Sequence, residues 1–123
     1  MSDVFSSFRD RQPVEMLPGI KRQMLSCGEQ AMTVYITVEK GREVPMHTHP
    51  HEQIGYLQSG RARFTVGDEA RVLEALDGYS IPSNVPHDAE AGPDGATAVD
   101  VFAPVRADWE KLARLDPAPG RWP

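Results

Sequence analysis

The chain has 123 residues, of which 40% are hydrophobic and 25% are charged, so it suits one compact domain and not a disordered protein. Its net charge of -5 and the lack of a basic run argue against a surface that binds nucleic-acid phosphates. The single cysteine, Cys27, excludes a disulfide within the chain. The N-terminal residues lack the apolar core of a signal peptide, and no apolar run is long enough to span a bilayer, so we expect a cytoplasmic protein without a membrane partner.

The first half of the chain predicts a covering segment followed by strands. Residues 1–20 end in a stretch with two prolines and a glycine, which favours a segment that covers the core over a helix. Residues 31–38 (AMTVYITV) alternate hydrophobic and other residues and predict the clearest strand. Residues 44–49 predict a further strand, and Pro50 marks a strand end, an edge or a bulge, because proline has no amide to donate to a sheet.

The second half predicts a hairpin, a loop and one late helix. Residues 53–58 and 61–66 predict a hairpin around Ser59–Gly60, and the GPDG sequence at residues 92–95 predicts a loop before another strand. A helical pattern appears only after Pro104, in ADWEKLARL. Many short strands and one short C-terminal helix predict an all-β sandwich or barrel.

The positions of the four histidines predict a metal site. His47, His49 and His51 lie within five residues of one another, and His87 lies in a later strand. Alternate residues of a strand share a face, so His47 and His49 can point at the same spot, and a barrel can bring His87 opposite them. Together with Gln53, the residues His47, His49 and His87 offer three imidazoles and one amide oxygen to a divalent transition metal. The same ligands accept nickel, manganese, iron, cobalt, copper or zinc, and ordinary surface or core histidines are the alternative interpretation.

The roles of His51 and Glu52 near this metal site leave alternatives open. Glu52 is the harder ligand, and a register slip of one residue would exchange it with Gln53, which we favour. Pro50 interrupts the strand before His51, so support of the other ligands or contact with a substrate fits His51 better than ligation.

The last strand predicts a face that could bind an anionic sugar. Asp100 and Phe102 alternate onto one face, and Arg106 follows the bend at Pro104. Arg106 could bind a carboxylate with two hydrogen bonds, Asp100 could move protons, and Phe102 could stack on a sugar ring. Alternatively, all three residues are structural. Asp100 would then belong to an ion pair, Phe102 would pack in the core, and Arg106 would cap the final helix.

These motifs resemble those of the cupin superfamily. The first cupin motif is a glycine, His-x-His, a residue that is usually glutamate, and a second glycine. It is matched by Gly41, His47, His49, Gln53 and Gly60, with glutamine where glutamate is usual. The second motif is matched by Pro82, Asn84 and His87, with asparagine where glycine is usual, and departs from the pattern at Leu76 and Ala91. The resemblance covers residues 20–103 and implies a double-stranded β-helix, a jelly-roll barrel, with a metal inside. We therefore divide the one domain into a covering segment (1–20), a cupin barrel (21–104) and a C-terminal helix with its tail (105–123).

The combined pattern His-x-His-Pro-His-Glu-Gln and Asp-x-Phe-x-Pro-x-Arg is similar to that of the small KdgF-type cupins of pectin and alginate breakdown. That resemblance implies an isomerase-type enzyme that converts 4,5-unsaturated monouronates to the open-chain keto-deoxy uronate. It implies metal ligation by His47, His49, Gln53 and His87 and a reacting face of Asp100, Phe102 and Arg106. An oxidative, dioxygenase-like cupin and a non-enzymatic sugar-binding cupin are the alternatives. A homodimer is expected because small cupins usually bury an exposed sheet between subunits.

Overall fold

The computed structural model describes residues 4–106, and these residues form eight β-strands and one short 3-10 helix at Phe8–Asp10. In chain order the strands are β1 (Val14–Leu17), β2 (Ile20–Cys27), β3 (Met32–Val38), β4 (Glu43–His47), β5 (Glu52–Val66), β6 (Glu69–Glu74), β7 (Gly78–Ile81) and β8 (His87–Ala103). The all-β class is therefore confirmed. The predicted helix of residues 107–115 lies outside the described residues. Among those described, no helix is long and apolar enough to cross a membrane.

The sheet is organised by its two long strands, β5 and β8. Its main path is β1-β2-β3-β8-β5-β6, with β4 added beside β8 and β7 added beside β5, and every pairing is antiparallel. Residues 96–102 of β8 pair with β3, whereas its first residues, from His87 to Glu90, pair with β4. Each long strand therefore has different neighbours along its two halves, which is how a jelly roll folds one sheet over itself.

Alternation along β3 shows how the sequence builds the core. Met32, Val34, Ile36 and Val38 are buried, and the residues between them are half-buried or exposed, as the sequence predicts. All the buried hydrophobic residues except Ile81 form one core cluster. Its members are Met16, Leu17, Ile20, Met32, Val34, Ile36, Val38, Val44, Leu57, Ala62, Leu73, Ala91, Ala96 and Phe102.

The predicted hairpin around Ser59–Gly60 is wrong. β5 runs without a break from Glu52 to Val66, and both of its halves pair with β8, with register shifts on each side of Gly60. Gly60 has a φ of +81°, so it bends the strand there without ending it. The predicted loop at residues 92–95 is likewise part of β8, where Gly95 also has a positive φ and lies against Gly60. The two glycines mark matching bends in paired strands.

The division of the chain into a covering segment, a barrel and a C-terminal segment remains a prediction. Within the first of these, β1 pairs with β2 at one edge of the sheet, and Met16 and Leu17 are buried in the core. The covering segment thus includes a short edge strand.

Candidate metal centre

Three histidines converge where β4 meets the start of β8. His47 ends β4 and pairs directly with His87 at the start of β8, and His49 lies in the connection after β4. Their ring centroids are 4.2 Å apart for His47 and His87, 4.9 Å for His49 and His87, and 5.5 Å for His47 and His49. One ligand atom from each ring lies within 4.8 Å of the others. His51 does not belong to this group of possible ligands in the described part of the chain.

Backbone carbonyls fix the orientation of all three rings. The Nδ1–H groups donate from His47 to Pro45 at 2.7 Å, from His87 to Val85 at 2.8 Å and from His49 to His51 at 2.9 Å. A nitrogen that donates to a carbonyl must carry the proton, so Nε2 of each ring carries the lone pair. Such carbonyl contacts are how proteins orient histidines that bind metals.

The buried Nε2 of His87 has no hydrogen-bond partner among the described residues. A buried acceptor without a donor is unfavourable, and a metal ion would supply the missing partner. The donor set therefore fits a divalent transition metal.

Burial keeps the cluster neutral. Desolvation lowers the pKa of His47 to about 3 and that of His49 to about 4, and it also lowers the pKa of His87. The positive charge of Arg106 lowers all three pKa values further. Neutral imidazole is the form that ligates, so the site is prepared for a cation at neutral pH.

Gln53, not Glu52, lies beside the histidines. Gln53 is a buried residue of β5, and its Oε1 is 3.1 Å from Nε2 of His49, whereas Glu52 is exposed. Because Nδ1 of His49 already carries the proton, this amide oxygen faces a nitrogen lone pair. Two acceptors at this distance repel each other unless a cation or a proton lies between them, which again fits a metal.

The turn that carries the second motif supports the histidine connection. The backbone N–H of Asn84 donates to the carbonyl of His49 at 2.9 Å, and the hydroxyl of Ser83 donates to the carbonyl of Pro50. Asn84 has a φ of +65°, so asparagine provides the left-handed conformation expected of the usual glycine. The departure from the motif therefore leaves this turn intact.

Asp100 is the buried acid of the site. It is 1% exposed, and its carboxylate accepts hydrogen bonds from the hydroxyl of Tyr79, at 2.5 Å, and from the side chain of Gln53. Desolvation raises the pKa of Asp100 to about 6, and the two hydrogen bonds oppose that rise. A carboxyl group with such a pKa can take up and release a proton near neutral pH.

Phe102 and Arg106 complete the wall beside the histidines. Phe102 is buried with its ring centroid 5.7 Å from that of His49, and the guanidinium carbon of Arg106 is 5.3 Å from the centroid of Phe102. The backbone N–H of Arg106 donates to the sulfur of Met32 at 3.0 Å, which ties the end of the described chain to β3. The structure thus brings the three residues predicted for the reacting face to the cavity that His47 and His87 also line.

These groups line one open cavity. Its polar wall includes His47, His87, Gln53, Asp100 and Arg106, and core residues of the sheet form the rest. The cavity has a volume of about 60 Å³, and the empty space is about 620 Å³ when the open solvent at its mouth is included. His47, His87, Asp100 and Arg106 therefore face one shared space.

Comparison with known proteins identifies the family. Residues 34–102 match the family model of the cupin domain. The chain belongs to the cupin family. This cupin is 32% identical over 102 residues to the pectin degradation protein KdgF of Dickeya dadantii (strain 3937), a match that covers 81% of this chain and 93% of the relative.

Solved structures agree with that assignment. The cupin superposes on an RmlC-like cupin from Shewanella frigidimarina NCIMB 400 with a TM-score of 0.82 and 34% identity, covering 88% of this chain and 96% of the other. It superposes on KdgF from Halomonas sp. with the same TM-score of 0.82 and 27% identity, covering 87% of this chain and 98% of the other. The predicted resemblance to the KdgF-type cupins is therefore confirmed.

Sequence reasoning missed Tyr79 in this cupin. Tyr79 lies on β7, alternates inward with Ile81 and places its hydroxyl on Asp100. That alternation was visible in the short run from Gly78 to Ile81. The sequence does not predict that the hydroxyl contacts Asp100, because this contact depends on how β7 and β8 both pair with β5.

Proposed function

We propose that this cupin opens the ring of 4,5-unsaturated monouronates and forms the linear keto-deoxy uronate. The observation that carries the proposal is the meeting of three chemical groups in one cavity: a neutral histidine cluster, a buried acid and a buried guanidinium. Similarity to a pectin degradation protein over most of both chains supports this choice among the chemistries that cupins perform.

The residues that would hold the metal are His47, His49, Gln53 and His87. When bound there, a divalent ion supplies a Lewis acid for negative charge on substrate oxygens. The three imidazoles and the amide carry no formal charge, so they would leave the charge of the ion undiminished. This donor set accepts nickel, manganese, iron, cobalt, copper or zinc.

Asp100 would carry the proton transfers. Ring opening removes the proton of the hemiacetal hydroxyl, forms the carbonyl at the anomeric carbon, breaks the bond from that carbon to the ring oxygen, and leaves the ring oxygen as the oxyanion of an enolate. Protonation of the enolate at carbon then gives the ketone, so one proton is removed, one is returned, and no atoms or electrons are gained or lost overall. With its pKa near 6, Asp100 can accept the first proton and supply the second.

Arg106 and Phe102 would bind and orient the sugar. The guanidinium is buried beside the imidazoles, and it could bind a carboxylate of the substrate with two hydrogen bonds. The ring of Phe102 gives the sugar an apolar surface between that guanidinium and the histidines.

The test uses unsaturated monouronates prepared with pectin and alginate lyases. The wild-type protein should remove their ultraviolet absorbance faster than the spontaneous reaction, with the linear keto-deoxy product identified by NMR and no oxygen consumed. Asp100→Asn should slow turnover by on the order of 10²-fold or more with normal metal content. Oxygen uptake would instead favour an oxidative cupin, and binding without product would favour a sugar-binding protein.

We also propose a cytoplasmic homodimer that uses the outer face of the sheet. Ile54 and Tyr56 point outward from β5 and are 45% and 41% exposed, so an apolar surface is available there. Light scattering should give twice the mass of the chain, and a mass of one chain would reject the dimer.

A further inference from the structure

Gly55 leaves an opening between two residues of the site. On β5 it pairs with Tyr79 of β7 on one side and with Asp100 of β8 on the other. Because Gly55 has no side chain, the hydroxyl of Tyr79 reaches across it to Oδ1 of Asp100. A Cβ atom at Gly55 would lie 2.9 Å from that hydroxyl, would collide with Oδ1, and would also lie 2.6 Å from the backbone carbonyl oxygen of Val99. The contact between Tyr79 and Asp100 therefore requires glycine at this position.

The tyrosine is held so that it can act only as a donor. Its ring packs on Phe64 with a centroid distance of 4.5 Å, which fixes its direction. Burial and the adjacent carboxylate raise the pKa of the Tyr79 hydroxyl far above neutral pH. The hydroxyl therefore keeps its proton and does not exchange it with the substrate.

We propose that Tyr79 is a positioning residue that fixes the carboxylate of Asp100 for proton transfer, with Gly55 providing the space it needs. The inference rests on the proposed function. Without the hydroxyl, the carboxylate keeps the hydrogen bond from Gln53 and is free to turn about its terminal torsion. With both donors, one rotation of the carboxylate is favoured beside the cavity that Asp100 lines.

The first test reads the contact without turnover. In zinc-loaded protein, a tyrosine hydroxyl in a short buried hydrogen bond should give a slowly exchanging, downfield proton resonance. Tyr79→Phe should abolish this resonance, whereas Tyr35→Phe should keep it, because Tyr35 lies on β3 and packs its ring on Phe8. Absence of such a resonance in the wild-type protein would overturn the inference.

The second test reads the effect on the reaction. Tyr79→Phe keeps the ring and its packing on Phe64, so it should lower kcat by about 10- to 100-fold, since a small misplacement of a reacting group has effects of that size. The KM and the metal content of Tyr79→Phe should match those of the wild type. The control variant Tyr35→Phe should keep the wild-type kcat. A wild-type kcat for Tyr79→Phe would overturn the inference and leave the proposed function standing.

A double mutant tests the link to Gly55. Gly55→Ala should reduce kcat at least as much as Tyr79→Phe, and because its Cβ would also lie 2.6 Å from the carbonyl oxygen of Val99, urea unfolding first checks that the variant is folded. In the folded variants, combining the two substitutions should add little, because both remove the same hydrogen bond. If the losses of kcat caused by the two substitutions multiply in the double mutant, Gly55 and Tyr79 do not act through the same hydrogen bond. If the wild-type protein does not convert the uronate at all, the proposed function fails, and the proton resonance still decides whether Tyr79 orients Asp100.

Discussion

At the scale of single residues, each clustered histidine is oriented by a carbonyl two positions away in the sequence. His47 and His87 use the carbonyls of Pro45 and Val85, and His49 uses that of His51. The ring orientation is thus encoded locally, whereas the meeting of the rings depends on the pairing of β4 with β8. The role of His51 follows from this arrangement, because its backbone supports a neighbouring ring and its own ring lies 5.6 Å from that of His49.

Glu52 and Gln53 are the two adjacent candidates for the fourth metal ligand, and substitution of each one tests which of them binds the metal. Gln53→Ala should weaken zinc or nickel binding by at least about 10-fold, because even partners that only support a ligand contribute that much. Glu52→Ala is the matched control and should bind the metal normally, since Glu52 is exposed. Isothermal titration of both variants makes the measurement. Equal affinities for Gln53→Ala and wild type would remove Gln53 from the ligand set.

At the scale of elements, the bends in β5 and β8 let two strands build most of the cavity. Gly60 has a positive φ, and a Cβ atom there would collide with the carbonyl oxygen of Gly95 and lie 2.9 Å from Cα of Ala96. The bend therefore depends on two glycines meeting across paired strands.

Substitution at this bend should destabilise the protein more than substitution at an isolated glycine. Gly41 also has a positive φ, of +70°, but a Cβ atom added there would meet no atom within 4 Å, so Gly41→Ala should cost only the backbone strain of roughly 1–2 kcal/mol. Gly60→Ala adds a clash with backbone and should cost about 3 kcal/mol or more. Urea unfolding compares the two variants. Equal losses of unfolding free energy in Gly60→Ala and Gly41→Ala would show that β5 and β8 can move apart at the bend without strain, which would contradict the predicted clash.

The bends also show which elements a sequence can predict. Strand β3 was predicted because the alternation of Met32, Val34, Ile36 and Val38 is a local pattern. The hairpin failed because Ser59–Gly60 has the composition of a turn, and only a partner distant in sequence distinguishes a turn from a bent strand. For the same reason the histidine pattern indicated a site, but the contact of Tyr79 with Asp100 required the sheet.

At the scale of the whole molecule, the buried titratable groups predict how the metal-free protein responds to acid. The lowered pKa values of the three histidines mean that the unfolded chain binds more protons, so their contribution to stability is lost as the pH falls below about 6.5. Asp100 acts in the opposite sense, because its raised pKa favours the folded chain as the pH falls from about 6 towards 3.8. Three histidines outweigh one carboxyl group, so the free energy of unfolding should be lower at pH 4 than at pH 7. Urea unfolding at the two pH values measures it, and equal or greater stability at pH 4 would contradict the neutral, buried cluster.

The assignment of the family also belongs to this scale, because the family model and the structural superpositions span most of the chain. The cupin fold alone does not select a reaction. The selection comes from the few side chains that the fold brings to one cavity, and the account depends on their acting together with a metal.

The most direct test of that claim compares one preparation before and after removal of its metal. The protein is stripped with a chelator, assayed on a 4,5-unsaturated monouronate by loss of ultraviolet absorbance, and then reloaded with a stoichiometric amount of divalent metal. We predict that the enzymatic rate disappears on stripping and returns on reloading, in the wild type and not in His49→Ala. A stripped protein that keeps its full rate, or a loaded protein no faster than the spontaneous reaction, would contradict the account.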